Sequence, residues 1–115
     1  MNAYGRIDVL INAAGGNKPG ATVGLDQSVS DVDIEQFKQV VDLNLFGSII
    51  PSLVLGKEMS VNKKGFIINL SSMAADRAIT RIMGYSTSKA AIDNFTKWMS
   101  VELAQKYGDG MRVNA

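Results

Sequence analysis

Three short runs of branched and aliphatic residues constrain this chain more than anything else in it: IDVLIN at 7–12, GFIINLSS from Gly65, and MRVNA at the end. In each run the apolar residues are contiguous rather than alternating, the pattern of parallel strands buried on both faces. Two long stretches with helical spacing separate them. The first starts near Asp33 and carries Ile34, Phe37, Val40, Val41, Leu45, Ile49, Leu53 and Met59. Asp33 followed by Gln36 resembles a capping box. Asn44 interrupts the apolar positions, and Pro51 has no N–H to offer the carbonyl of Gly47, so a kink is expected between them. The second stretch runs from about Gly84 to Tyr107, with Ile92, Thr96, Met99 and Leu103 on one stripe and Gly108 as its natural stop. The order strand, helix, strand, helix, strand is half of an α/β doubly wound parallel sheet with right-handed crossovers.

The chain has 115 residues and a formal net charge of +1, enough for one small domain and without the charge excess that nucleic acid or a membrane surface would call for. It contains neither Cys nor His, so disulfides, thiolate or imidazole metal sites and histidine-based triads are excluded within it. The opening MNAYGRIDVLINAAGG has too short an apolar run for a signal peptide or a membrane span, and a cytoplasmic location is the expectation. The first strand begins within a few residues of Met1 and the last breaks off at Ala115, so the chain reads as the middle of a larger domain.

In such sheets ligands bind beyond the carboxyl ends of the strands. The first strand ends at Asn12 and opens into AAGG, the second ends at Ser71–Ser72, and the second helix begins at Tyr85, all on one edge. Tyr85 and Lys89 are four apart and share a helix face. A lysine beside a phenol favours the tyrosinate, and a phenol brought closer to neutrality is a useful proton donor and acceptor. With Ser72 as a hydrogen-bond partner, the group suits proton transfer to a carbonyl or from an alcohol. Each piece alone is common. Tyr-x-x-x-Lys occurs in many solvated helix starts, and Ser-Ser after a strand is an ordinary transition to loop.

The ordered combination is more specific: NAAGG after a strand, Asn44 in VDLNLFG, Ser72 closing INLSS, and Tyr85 and Lys89 in GYSTSKAA, with Ser72 lying 13 positions before Tyr85. It resembles the short-chain dehydrogenase/reductases of the single-domain, Rossmann-like type, over essentially the whole chain. The resemblance implies an NAD- or NADP-dependent oxidoreductase interconverting an alcohol and a ketone. It makes Tyr85 the proton donor or acceptor and Ser72 the group that orients the substrate oxygen. Lys89 would hold the nicotinamide ribose and lower the tyrosine pKa. Asn44 would anchor a water through its local helix distortion. Asn12, Ala13, Ala14 and Gly15 would line the adenosine side of the cofactor, which Tyr85 and Lys89 also contact.

The resemblance also marks what the chain lacks. The glycine-rich dinucleotide turn and the C-terminal substrate segment of that family are absent, so residues 1–115 are expected to be the central part of one such domain, inactive alone. NAAGGNKPGATV and the stretch from Ala78 to Gly108 look similar to bacterial members acting on sugar acids such as mannonate or fructuronate, and Asn17, Lys18 and Arg81 would suit a carboxylate-bearing polyol. A nucleotide-sugar epimerase or dehydratase, which shares Ser, Tyr and Lys, and a non-catalytic truncated remnant are the alternatives. Ala91, Trp98 and Val101 form a second apolar surface on the last helix, which points to a homodimer or homotetramer. No metal, nucleic acid or membrane partner is expected.

Overall fold

The computed structural model describes residues 3–79 and 81–115. Thr80, between the second apolar run and the second helical stretch in sequence, lies outside the described residues. The strands are β1 (Val9–Asn12), β2 (Gly65–Asn69) and β3 (Met111–Asn114). They form one parallel sheet in the order β1-β2-β3, with Asn12 opposite Asn69 and Phe66 opposite Arg112. The helices are α1 (Ile34–Val41), α2 (Gly47–Val61) and α3 (Met83–Tyr107), and a π-helical turn, Asp42–Phe46, joins α1 to α2.

Both crossovers step across the sheet in the same sense, so their helices lie on one face. That face carries the core: Met59 from α2, Met99 and Leu103 from α3, Ile67 from β2, and Met111 and Val113 from β3. The expectation of strands buried on both faces does not hold within this chain. Val9, Ile11, Phe66 and Ile68, the alternate residues of β1 and β2, are exposed. Contiguous apolar runs report the demand for two covers, and this chain supplies one.

The first helix also differs from its apolar pattern. Its buried residues are Val40, Asn44, Ser48, Ser52, Gly56 and Met59, largely an every-fourth-residue row of small or polar side chains. Leu43, Phe46, Ile50, Leu53 and Val54 point outward. Small residues let the helix approach the sheet closely, and the hydroxyls are satisfied there: Ser52 donates to the Ser48 carbonyl at 2.7 Å and accepts from Asn12. The run Ile34–Val61 is long and apolar enough to cross a membrane by composition alone, but here its inner row packs on the chain's own sheet.

Asp33 caps α1 as expected, its carboxylate accepting from the N–H groups of Glu35 and Gln36. Gln36 does not complete a capping box. Its Oε1 accepts from Gly20 N at 2.8 Å, and the Asp33 N–H goes to the Gly20 carbonyl at 2.9 Å, so both tether the segment between β1 and α1 at Gly20 instead. The irregularity expected near Asn44–Pro51 is the π turn. Asn44 Nδ2 donates to the Val40 carbonyl at 2.8 Å, four residues back, and so takes the acceptor that the Asn44 N–H would use in an α-helix. Pro51 sits inside α2 without ending it.

Candidate active site

The strand exits, the π turn and the start of α3 meet at one edge of the sheet. Asn44 is fully buried, and its amide clamps the loop leaving β1: Oδ1 accepts from Gly16 N at 3.0 Å while Nδ2 donates to Gly16 O at 2.6 Å. This reciprocal pair fixes both the amide and the backbone of the Gly15–Gly16 segment. Gly15 lies in the angle between two side chains. A methyl group on it would stand 2.8 Å from Asn44 Oδ1 and 3.4 Å from Lys89 Nζ.

Lys89 is 5% exposed. Its ammonium donates to the Leu70 carbonyl at 2.7 Å and lies 5.7 Å from the centroid of the Tyr85 ring, close enough for a cation–π contact. An ammonium carries three donors; Leu70 takes one, and the ammonium stands beside Gly15, 3.4 Å from where a Cβ there would be. Tyr85 is half-buried one turn earlier on α3. Ser72 caps the short 3₁₀ turn Met73–Ala75, which packs against α3. Its Oγ accepts from Ala74 N at 3.1 Å, leaving the hydroxyl proton to donate elsewhere.

Ala13, Ala14 and Gly15 are exposed on the loop leaving β1. Asn12 is not: its side chain is 5% exposed and turned to the helix side, donating to Ser52 Oγ at 2.9 Å and Asn69 Oδ1 at 2.8 Å. Among the sugar-acid candidates, Asn17 Nδ2 is engaged with Thr22 Oγ1 at 2.9 Å, while Lys18 and Arg81 are in no ion pair among the described residues. Arg81 has φ of 73°, a left-handed conformation uncommon outside glycine, and its carbonyl accepts from Val23 N at 2.9 Å, which ties the two loops at this edge together.

Sequence reasoning missed two partners, the Leu70 carbonyl and the Gly16 backbone. Neither has a side-chain signature, but both adjoin motif residues, one ahead of Ser71–Ser72 and one after Gly15. No group of acidic side chains able to hold a metal ion occurs among the described residues.

The short chain dehydrogenase family matches residues 1–115. The chain belongs to this family. An uncharacterized oxidoreductase of Bacillus subtilis (strain 168), UxuB, is 41% identical over 123 residues, matching 100% of this chain and 43% of its own length. The crystal structure of a candidate D-mannonate oxidoreductase from Haemophilus influenzae with bound NAD superimposes with a TM-score of 0.87 at 40% identity, over 99% of this chain and 43% of that one. ElxO with NADP bound gives a TM-score of 0.86 at 28% identity, over 99% of this chain and 42% of that one. This short-chain dehydrogenase sequence thus spans about two fifths of the length of the relatives it matches.

Proposed function

We propose that the chain is the central, catalytic part of an NAD- or NADP-dependent oxidoreductase that interconverts a secondary alcohol and a ketone. The observation that carries this reading is the convergence of Gly15, Asn44 and Lys89, with Tyr85 one turn away. Two free ammonium donors beside a side-chain-free strand exit suit the paired hydroxyls of a ribose, and exposed Ala13–Gly15 suit the rest of a dinucleotide. Bound there, a nicotinamide supplies or accepts the hydride.

The chain's own part is to place groups and move a proton. Lys89 holds the ribose hydroxyls and keeps a positive charge against the Tyr85 ring. The Tyr85 hydroxyl gives its proton to the carbonyl oxygen in reduction and takes it back in oxidation. Ser72 donates its unused hydroxyl proton to the same oxygen and fixes its position. Asn44 does not touch substrate: its amide is used on Gly16 and Val40, so it shapes the strand exit, and a water held at the distorted turn would lead protons to Lys89.

Lys18 and Arg81, cationic and in no ion pair among the described residues, support a substrate with a carboxylate, and a sugar acid of the mannonate or fructuronate kind fits this chemistry. The outward apolar row of α2, together with exposed Trp98 and Val101 on α3, supports assembly with a second copy. The test is turnover by the full-length protein, followed through the absorbance of reduced nicotinamide, on D-fructuronate and on the matching neutral ketose. Faster reduction of the acid, with the advantage lost in Arg81→Ala or Lys18→Ala, is the expected result. Equal rates on both substrates overturn the sugar-acid reading, and no turnover of any ketone or alcohol overturns the oxidoreductase reading.

A further inference from the structure

The exit of β2 is joined to α3 at two adjacent residues. Leu70 receives the Lys89 ammonium. One residue earlier, Asn69 Nδ2 donates to Thr96 Oγ1 at 2.9 Å, with Asn69 1% and Thr96 6% exposed. Thr96 lies seven residues beyond Lys89, about 10 Å further along the helix at 1.5 Å per residue.

The Asn69–Thr96 bond belongs to a chain whose donors all run outward from Asn12. Asn12 donates to Ser52 and to Asn69 Oδ1; Asn69 donates to Thr96; Thr96 donates to the Ile92 carbonyl at 2.8 Å, and Ser52 to that of Ser48. With each hydroxyl proton given to its own helix, each hydroxyl accepts from an amide. That fixes both amides. A flipped Asn69 would set its NH₂ against the NH₂ of Asn12 and its oxygen against the lone pairs of Thr96. The network runs from α2 through β1 and β2 to α3.

We propose that Asn69 and Thr96 are positioning residues. Their bond is the pivot that holds α3 to the end of β2 when a ligand hydroxyl draws the Lys89 ammonium away from Leu70. The lysine stem is flexible and its ammonium has work elsewhere, so its own bond to Leu70 cannot be the attachment that sets helix depth. The Asn69–Thr96 bond lies about two turns of α3 away from Lys89, between two buried side chains, and keeps Lys89 and Tyr85 at a fixed height while Lys89 changes partner. This rests on the oxidoreductase reading only for what Lys89 is held in place to do.

The experiment reads Lys89 directly and needs neither cofactor nor substrate. The full-length protein, its Thr96→Val variant and its Thr96→Ser variant are labelled with an amine-reactive ester well below their melting temperatures. Labelling at each lysine is read by mass spectrometry, and global opening by hydrogen exchange on the same samples. Thr96→Val keeps the shape but removes the acceptor; Thr96→Ser restores it. The expected result is that Lys89 labels about 5-fold faster in Thr96→Val, the population change that one lost hydrogen bond of ordinary net strength produces. Lys57, Lys97 and Lys106 stay unchanged, and Thr96→Ser returns Lys89 to the wild-type rate. An unchanged Lys89, a rise shared by all lysines in step with global opening, or an equal rise in Thr96→Ser overturns the proposal. Should Thr96→Val not fold, Thr96→Cys, a weak sulfur acceptor of similar volume, carries the same comparison with the same outcomes. A protein that turns over no alcohol or ketone yet shows selective Lys89 labelling keeps the pivot and loses only the oxidoreductase reading.

Discussion

Substituting Gly15 by Ala tests the construction of the site without touching any reacting group. The backbone at Gly15 is not in the left-handed region, since the described glycines with positive φ are Gly5 and Gly108, so alanine is conformationally acceptable and any penalty comes from its neighbours. The added Cβ would lie 2.8 Å from Asn44 Oδ1, against about 3.4 Å for ordinary contact. Asn44 cannot step aside, because it is fully buried and its amide is held by bonds of 3.0, 2.6 and 2.8 Å. Relief means lengthening the bond from Gly16 N, which costs about 1–3 kcal/mol for a buried polar group left short of a partner. Residual overpacking adds about 1–3 kcal/mol, and the lower entropy of an unfolded alanine returns about 0.4–1 kcal/mol. The net expectation is a loss of about 2–4 kcal/mol. Gly16→Ala is the matched control. Its Cβ would meet only Leu43 Cδ2, at 3.6 Å, and should change stability by less than about 0.5 kcal/mol. Urea unfolding of the full-length protein measures both. A double-mutant cycle with Asn44→Ala adds a sharper check, since Gly15→Ala should cost markedly less once the amide is gone. Equal stabilities for Gly15→Ala and Gly16→Ala, or additive effects in the cycle, would refute the account of this corner.

Further expectations concern chemistry, assembly and the isolated chain. Tyr85→Phe deletes one hydroxyl and should lower kcat about 10²–10⁴-fold, the usual worth of a general acid–base group, with little change in cofactor affinity; retention of most of the wild-type rate at neutral pH would remove Tyr85 from the proton-transfer role. Trp98→Glu and Ile50→Glu each place a charge on the exposed apolar surface of α3 and α2 and should shift the full-length protein toward monomer in sedimentation at micromolar concentration, whereas a wild type that is already monomeric contradicts the interface. The 115-residue chain alone should bind neither NADH nor NADPH at micromolar concentration in calorimetric titration, and should melt without cooperativity, because one face of its sheet is bare; tight binding together with a sharp melt would show a self-sufficient domain.

The parts of the fold readable from the sequence were those set by local chemistry. Asp33 caps α1 because a carboxylate there reaches two free N–H groups, and α3 stops at Gly108 because φ of 83° there suits glycine. The stripe Ile92, Thr96, Met99 and Leu103 is buried as its spacing implies. The convergence of the strand exits with Lys89 could be read because strand direction and helix phase both follow from pattern. What could not be read depends on partners distant in sequence. Leu70 serves Lys89 through its carbonyl, which every residue possesses. Asn12 carries the same motif whether its amide faces a ligand or the interior; the presence of Ser52 and Asn69 on the inner side decides it. The buried face of α2 was hidden because period-based reading assumes that apolar residues go inward, while close approach to the sheet favours Ser48, Ser52 and Gly56.

That inversion of α2 bears on how the chain reaches its native state. Turned half a revolution about its axis, the helix would press Phe46, Ile50, Leu53 and Val54 onto the sheet and gain apolar contact early in collapse. The native rotation is selected instead by a few directional bonds, Asn44 to Gly16 and Asn12 to Ser52, which form only when the loop leaving β1 is already in place. The helix thus has a greasy wrong answer and a polar right one. A misrotated α2 would bury more apolar side chain but leave Asn44, Ser48 and Ser52 outside, so the site exists only in the rotation that buries the polar row.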